Sequence, residues 1–278
     1  MKLPRLRTIL LTPLVLFAAF YLFAATFTLL KTDETPAIET EPAAHQTVAI
    51  FGASGTAGDG ILKAALANPD IKQILVITRR ATPRIDEAVA SGKAQMILHM
   101  DYLDYSAIHE QLAPIDAVYW AIGTSSVGVD EITYGKIHVD FPVQFLTEWM
   151  GVGNKPGSSF HYISSSDISE DSSMMWAREK VRAEKSLFKL AEGKNVRVIA
   201  YRPDYIGPTT EEAHLGQTLL YWFFKPVNAA VKATQIGQAM FEVTARGSQF
   251  KNGDKLSTGK IVRYSNAYEK RQALGNDR

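Results

Sequence analysis

The run Gly52-Ala53-Ser54-Gly55-Thr56-Ala57-Gly58 has the composition of a turn that lets a backbone close on a phosphate. Pyrophosphate needs backbone N–H donors and a helix N-terminus brought close, and a Cβ at the turn positions would block that approach. Without a ligand, the same run is simply a glycine-rich turn between a strand and a helix. Arg79 and Arg80 are the next candidates. A dinucleotide site that prefers NAD places Asp or Glu near this point, to accept from the ribose 2′-hydroxyl. A guanidinium instead pairs with the extra 2′-phosphate of NADP. The arginines therefore point to NADP(H) rather than NAD(H), with Arg79, nearest the strand, as the first choice. Two solvated arginines at a strand end are the alternative.

These residues need a scaffold, and the flanking patterns supply one. Residues 47 to 52 (TVAIFG) form a short apolar run of the kind a buried parallel strand requires. A helical pattern follows the glycines, with Ile61, Leu62, Ala65 and Leu66 on one face. Strand, glycine turn and helix together give the motif its meaning. The next strand is Gln73 to Thr78, ending at the arginines. Gln95 to His99 leads into Asp101 and Tyr102, which would stand beside an adenine; Asp101 as a plain helix cap is the competing reading. Ala117 to Ile122 leads into Gly123 and Thr124, where a small residue lets the backbone run beside a cofactor. The expected fold is a Rossmann-type, doubly wound parallel α/β sheet. A small C-terminal part would lie on the substrate side, and one transmembrane helix would precede the domain.

That helix is read from Ile9 to Leu30, a stretch without charge. About 22 residues at ~1.5 Å each reach roughly 33 Å, enough to cross a bilayer core. A cleaved signal peptide has a shorter apolar region and a small-x-small site, of which Phe23-Ala24-Ala25 is a poor version. Lys2, Arg5 and Arg7 precede the span, whereas Asp33, Glu34, Glu39 and Glu41 follow it. The positive-inside bias thus makes residues 1–8 a cytoplasmic N-terminus and places the domain on the other side. That side conflicts with a cofactor abundant in the cytoplasm, unless the compartment is a eukaryotic lumen or mitochondrial. Residues 31–46 read as a polar linker and 47–278 as the NAD(P)-binding domain, whose residues 264–278 read as a loose tail.

The 30 basic and 29 acidic residues nearly cancel, so nothing favours nucleic acid. Absence of cysteine removes disulfides, thiolate nucleophiles and thiol-ligated metals. The 6 histidines have no metal spacing. Neither a G-x-S-x-G elbow nor the Gly-Lys-Ser/Thr ending of a P-loop is present.

In order, GASGTAG (52–58), TRR (78–80), DYLD (101–104), AIGT (121–124), HVD (138–140), YISSS (162–166), WAREKVRAEK (176–185) and YRPDYIGP (201–208) resemble the atypical branch of the short-chain dehydrogenase/reductase superfamily. The nearest likeness is to NmrA-like and Tat-interactive-protein-like NAD(P)-binding proteins, over roughly residues 47 to 210. The resemblance implies that a Tyr, a Lys four residues later and a Ser move the proton during hydride transfer. It places the Ser at Ser166, within Ser164-Ser165-Ser166, and the Lys at Lys180, which would also bond the nicotinamide ribose. It lays the loop around Pro203 along the nicotinamide; Arg202 reads either as part of that site or as a structural salt-bridge residue, the second preferred. The Tyr position, however, is Trp176. Indole donates only and has no titratable proton in the useful range. Tyr162 and Tyr205 lie on neighbouring strand ends without the four-residue relation to Lys180.

Two functions follow. One is a membrane-anchored NADP(H)-dependent oxidoreductase acting on a small molecule, with Ser166, Lys180 and another proton source such as water. The other is a non-catalytic NADP(H)-binding redox sensor or assembly factor with a protein partner. The aromatic run Leu219 to Phe224 reads as core, as a pocket wall or as a second membrane-dipping surface.

Overall fold

The computed structural model describes residues 6–30, 35, 40–153, 155–209 and 213–276. Lys2 and Arg5, on which the N-terminal charge reading rests, lie outside them, as does most of 31–39. A parallel sheet carries the fold, in the order β3 (Ala94–Leu98), β2 (Gln73–Thr78), β1 (Thr47–Phe51), β4 (Ala117–Trp120), β5 (Ser158–Ile163), β6 (Val196–Arg202), β9 (Lys255–Ser257). The order reverses between β1 and β4, and that switch point is where an open α/β sheet makes its crevice. Register runs from Val48 against Ile74 on one side to Val48 against Ala117 on the other.

Continuous apolar strands are explained by two faces that are both covered. Val48, Ile50, Val76, Tyr119 and Ile199 point to one side, and meet α2 (Thr56–Ala67), α9 (Ala233–Ala245) and α10 (Thr258–Asn276). Phe51, Ile77, Trp120, Phe160 and Tyr162 point to the other, against α6 (Phe141–Gly151) and α7 (Met175–Leu190). The crossing of α2 on α9 is tight: a Cβ on Gly60 would stand 2.2 Å from the carbonyl carbon of Ala233. The C-terminal part is thus a packing partner of the helix that follows the glycine turn.

Two segments differ from the sequence expectation. The expected loose tail forms α10 as far as Asn276, because Ile261, Ser265 and Tyr268 are buried and Arg271 pairs with Asp70 and Glu242, each at 2.9 Å. Within the expected linker, Pro42–His45 is a short 3-10 turn, His45 is fully buried, and Glu41 N–H donates to the Ala245 carbonyl at 2.7 Å. Polar composition concealed both, since each holds its place through a few inward residues.

Before the domain, α1 (Leu6–Leu30) contains an apolar stretch, Leu11–Leu30, long and apolar enough to cross a membrane. Two small strands, β7 (Tyr205–Gly207) and β8 (Ala230–Lys232), pair beside the main sheet and bracket α8 (Leu215–Phe224). The latter carries the aromatic run.

Candidate functional site

β1 ends on Gly52, whose φ of +77° is left-handed. Its place is fixed, because a Cβ there would meet the Ala121 carbonyl oxygen at 2.5 Å. Gly58, inside α2, is fixed as tightly: its Cβ would stand 2.0 Å from the Gly52 carbonyl oxygen. Gly55, the N-cap of α2, differs from both. Its φ is −101°, and a Cβ would find only the Gly52 carbonyl oxygen, at an ordinary 3.5 Å. Nothing in the protein requires glycine at 55, so the open space above it fits a ligand that comes close to the backbone.

That space is part of a trough along the C-terminal ends of the strands. One end, of about 600 Å³, is lined by Gly52, Ser54, Gly55, Thr78, Arg79, Arg80, Met100 and Tyr102. The other, of about 430 Å³, is lined by Thr56, Ala57, Thr124, Tyr134, His138, Ser164, Ser165, Trp176, Lys180 and Ile206. Gly55, Ala121, Ile122 and Gly123 belong to both. The helix N-terminus at Thr56 lies where the two halves join, as an extended molecule with a central pyrophosphate requires.

At the first end Arg79 lies over the Tyr102 ring at 5.8 Å. Tyr102 is a buried floor: it packs edge-on against Phe51, Trp120 and Phe141, and burial pushes its phenol up to about 12. Thr78 hydroxyl donates to the Arg80 carbonyl at 3.0 Å, shaping the turn that presents both arginines. Asp101 is exposed and accepts from the Leu103 N–H at 2.9 Å, so it makes a local turn and does not line the trough.

The second end is dominated by Lys180. It is buried, and its Nζ donates to the Tyr162 hydroxyl at 3.2 Å and the Ile163 carbonyl at 2.8 Å. Burial pulls the ammonium down to about 7, against the opposing pull of Glu184. One turn earlier on α7, Trp176 shares the same wall. His138 lies in a π-helical turn, Lys136–Asp140, between α5 (Glu131–Gly135) and α6. Such insertions re-aim side chains and concentrate at functional sites. Its Nε2 accepts from the Thr124 N–H at 3.2 Å, Nδ1 is buried without a partner among the described residues, and Tyr134 stacks on the ring at 4.0 Å. Burial first, then Lys180, hold His138 neutral, with its value pushed down to about 3. Ser164 Oγ is also buried and, among the described residues, unpaired.

The structure brings together most residues singled out in the sequence. Gly52, Ser54, Gly55, Thr56, Ala57, Arg79, Arg80, Tyr102, Gly123, Thr124 and Lys180 line the trough; Gly58 supports it from behind. Ser164 and Ser165 line it but Ser166 does not, and the Ser166 N–H donates to the Pro203 carbonyl at 3.1 Å. Pro203 therefore braces the serine turn, and Ile206 is what its loop contributes to the wall. Arg202 makes the expected salt bridge, to Glu184 at 2.5 Å. Tyr162 turns its hydroxyl to the His138 carbonyl at 3.0 Å, and Tyr205 turns its own to the Gln217 carbonyl at 3.2 Å. Neither substitutes for the missing phenol.

No family model matches the chain. A curated protein from Emericella nidulans, named protein fmp52, mitochondrial, is 27% identical over 179 residues, covering 63% of this chain and 73% of that one. A short-chain dehydrogenase/reductase from Saccharomyces cerevisiae superposes with a TM-score of 0.60 at 13% identity, over 77% of this chain and 96% of its own. BdcA, solved in complex with NADPH, gives 0.59 at 14%, over 76% and 92%. The fold is that of the short-chain reductases.

Sequence reasoning missed His138, Tyr134, Ala121 and Met100 as wall residues. His138 was visible only as part of HVD, and its inward aim depends on the π-helical insertion, which no local pattern announces. Tyr134 lies on the short α5, which has too few residues to show a periodicity.

Proposed function

We propose that this protein is an NADP(H)-dependent oxidoreductase of the short-chain reductase fold, anchored to a membrane through α1. The observation that carries the reading is Gly55: a glycine with room for a side chain, at a helix N-terminus, at the junction of a two-ended trough. The backbone from Gly52 to Thr56 would hold the pyrophosphate, Arg79 and Arg80 the 2′-phosphate, and Lys180 the nicotinamide ribose, while the bound nicotinamide would supply the hydride chemistry. Among the described residues no carboxylate lines the arginine end, which supports NADP(H) over NAD(H). The NADPH complex of BdcA supports the same cofactor class. The compartment carried over from the fungal relative is the mitochondrion.

In this reading Lys180 orients and charges the reacting end, Ser164 and Ser165 rather than Ser166 offer hydroxyls to a substrate oxygen, and water carries the proton. Trp176 forms part of the wall beside Lys180. The same Trp176 favours a second reading, a non-catalytic NADP(H)-binding sensor whose pocket binds a protein partner.

Calorimetric titration of the full chain in detergent, with NADPH and NADH separately, tests the cofactor. Tight NADPH binding that falls at least tenfold in Arg79→Ala is expected. Equal binding of both nucleotides would remove the NADP(H) preference, and binding of neither would remove both readings.

A further inference from the structure

The aromatic run is not core. In α8, Leu215, Leu219 and Trp222 are exposed at helical spacing, with Leu220 and Phe223 beside them, and only Tyr221 is buried. This face continues onto α1. Tyr21 hydroxyl donates to the Phe223 carbonyl at 2.7 Å, and the Tyr21 and Phe17 rings stack on Phe223 at 5.2 and 6.4 Å. Lys225, at the end of α8, lies over the Trp222 ring at 5.2 Å, an arrangement of apolar body and charged head suited to a lipid headgroup boundary.

The contact falls near the middle of α1. Tyr21 stands about 14 Å along the axis from Leu30 and about 15 Å from Leu11, at ~1.5 Å per residue. An upright span would carry this contact, and Lys225 with it, to the centre of a hydrocarbon core roughly 30 Å thick, where an ammonium is costly. Raising the contact to the surface would instead leave Phe23, Phe27 and Leu30, all exposed, in water. Both penalties vanish if α1 lies along one leaflet, since a helix is about 10 Å across and satisfies its own backbone.

Resting on the reading of α1 as a membrane anchor, we infer that the anchor is monotopic: α1 is sunk in one leaflet, α8 caps it at the headgroup boundary, and the N-terminus and the domain share one side. The occupant of the α8 face is lipid. This arrangement holds the trough near the bilayer, because Gln217 of α8 lines a cavity with Ser54, Gly55 and Thr56.

A chain without cysteine makes the test clean. Full chains carrying Thr8→Cys or Glu110→Cys, inserted in phosphatidylcholine vesicles, are treated with a membrane-impermeant maleimide before and after detergent. With the chain added from outside the vesicles, complete labelling of both before detergent is expected; a gain at either position after detergent overturns the inference and leaves the anchor standing. Release of the chain by alkaline carbonate overturns the anchor as well. In vesicles of brominated phosphatidylcholine, loss of most of the emission that separates the natural chain from Trp222→Phe is expected. No loss would mean that α8 does not meet lipid, and would overturn its part.

Discussion

Lys180 Nζ donates to the Tyr162 hydroxyl at 3.2 Å, and that hydroxyl donates in turn to the His138 carbonyl at 3.0 Å. The chain of hydrogen bonds leads from the trough wall into the core. A fully buried phenol, raised well above its ordinary value by desolvation, thus occupies the lysine without facing any ligand. Lys180 lines the trough, yet the phenol it touches is turned into the core.

Trp176→Tyr should therefore create the missing pair, because residue 176 and Lys180 share one face of α7 and both line the trough. If the protein transfers hydride, NADPH consumption with a panel of small carbonyl compounds should rise by roughly 10²-fold, the low end of what a positioned general acid contributes. Unchanged consumption with undiminished NADPH binding would favour the sensor.

The two glycines that bracket the α2 turn should respond oppositely to alanine. Gly55→Ala should cost no more than about 1 kcal/mol of stability, the loss of a favourable N-cap residue, and weaken NADPH at least tenfold by occupying the approach of the pyrophosphate. Gly58→Ala drives a Cβ to 2.0 Å from the Gly52 carbonyl oxygen, so its first effect should be a loss of stability. Denaturant midpoints and nucleotide titrations on the same samples separate the two. Equal stability losses would mean that position 55 is structural.

The strands, the glycine turn and the arginines were legible because each is local: a buried parallel strand is apolar throughout, and a phosphate turn needs glycine where backbone meets backbone. Lys180 and the serine run came from resemblance, and in the structure Ser164 and Ser165 line the trough while Ser166 does not. Which hydroxyls face the trough depends on the path of the loop after β5 ends at Ile163, and three consecutive serines carry no local pattern that reports it. His138 and Tyr134 were illegible because a π-helical turn and the short α5 aim them. The burial of His45 depends on α9, whose packing partner lies some 200 residues away in sequence, beyond any local window.

Lys180 should make stability depend on alkaline pH. Its folded value near 7 lies below its ordinary 10.5, so between those values the unfolded chain binds the extra proton. Stability then rises as pH increases through that window, and below it the penalty of burying the ammonium is felt in full. Lys180→Met should flatten this rise in urea midpoints measured from pH 7 to pH 10. A rise of equal slope in the variant would show that another group is responsible.

On the acid side the sign comes from buried neutral histidines. Desolvation lowers His45 to about 4 and His138 to about 3, and lowers His161 well below its ordinary value. The unfolded chain takes up these protons as pH falls below 6.5, so stability falls by about 1.4 kcal/mol per pH unit for each. His161 is fully bonded, to Tyr201, Ser159 and Thr244 at 2.9 Å each, and His138 holds Thr124. His45 is different: it is fully buried against the Phe241 ring at 6.2 Å, and neither ring nitrogen is bonded among the described residues. His45→Phe should therefore remove one proton from the acid slope while losing no hydrogen bond, and should be neutral or stabilising at pH 7, where an unpaired buried polar group is replaced by a ring. Urea midpoints at pH 7, 6 and 5 provide the check. A destabilised variant at pH 7, or an unchanged slope, would mean that His45 holds a partner, such as a buried water, and is not the source of the proton.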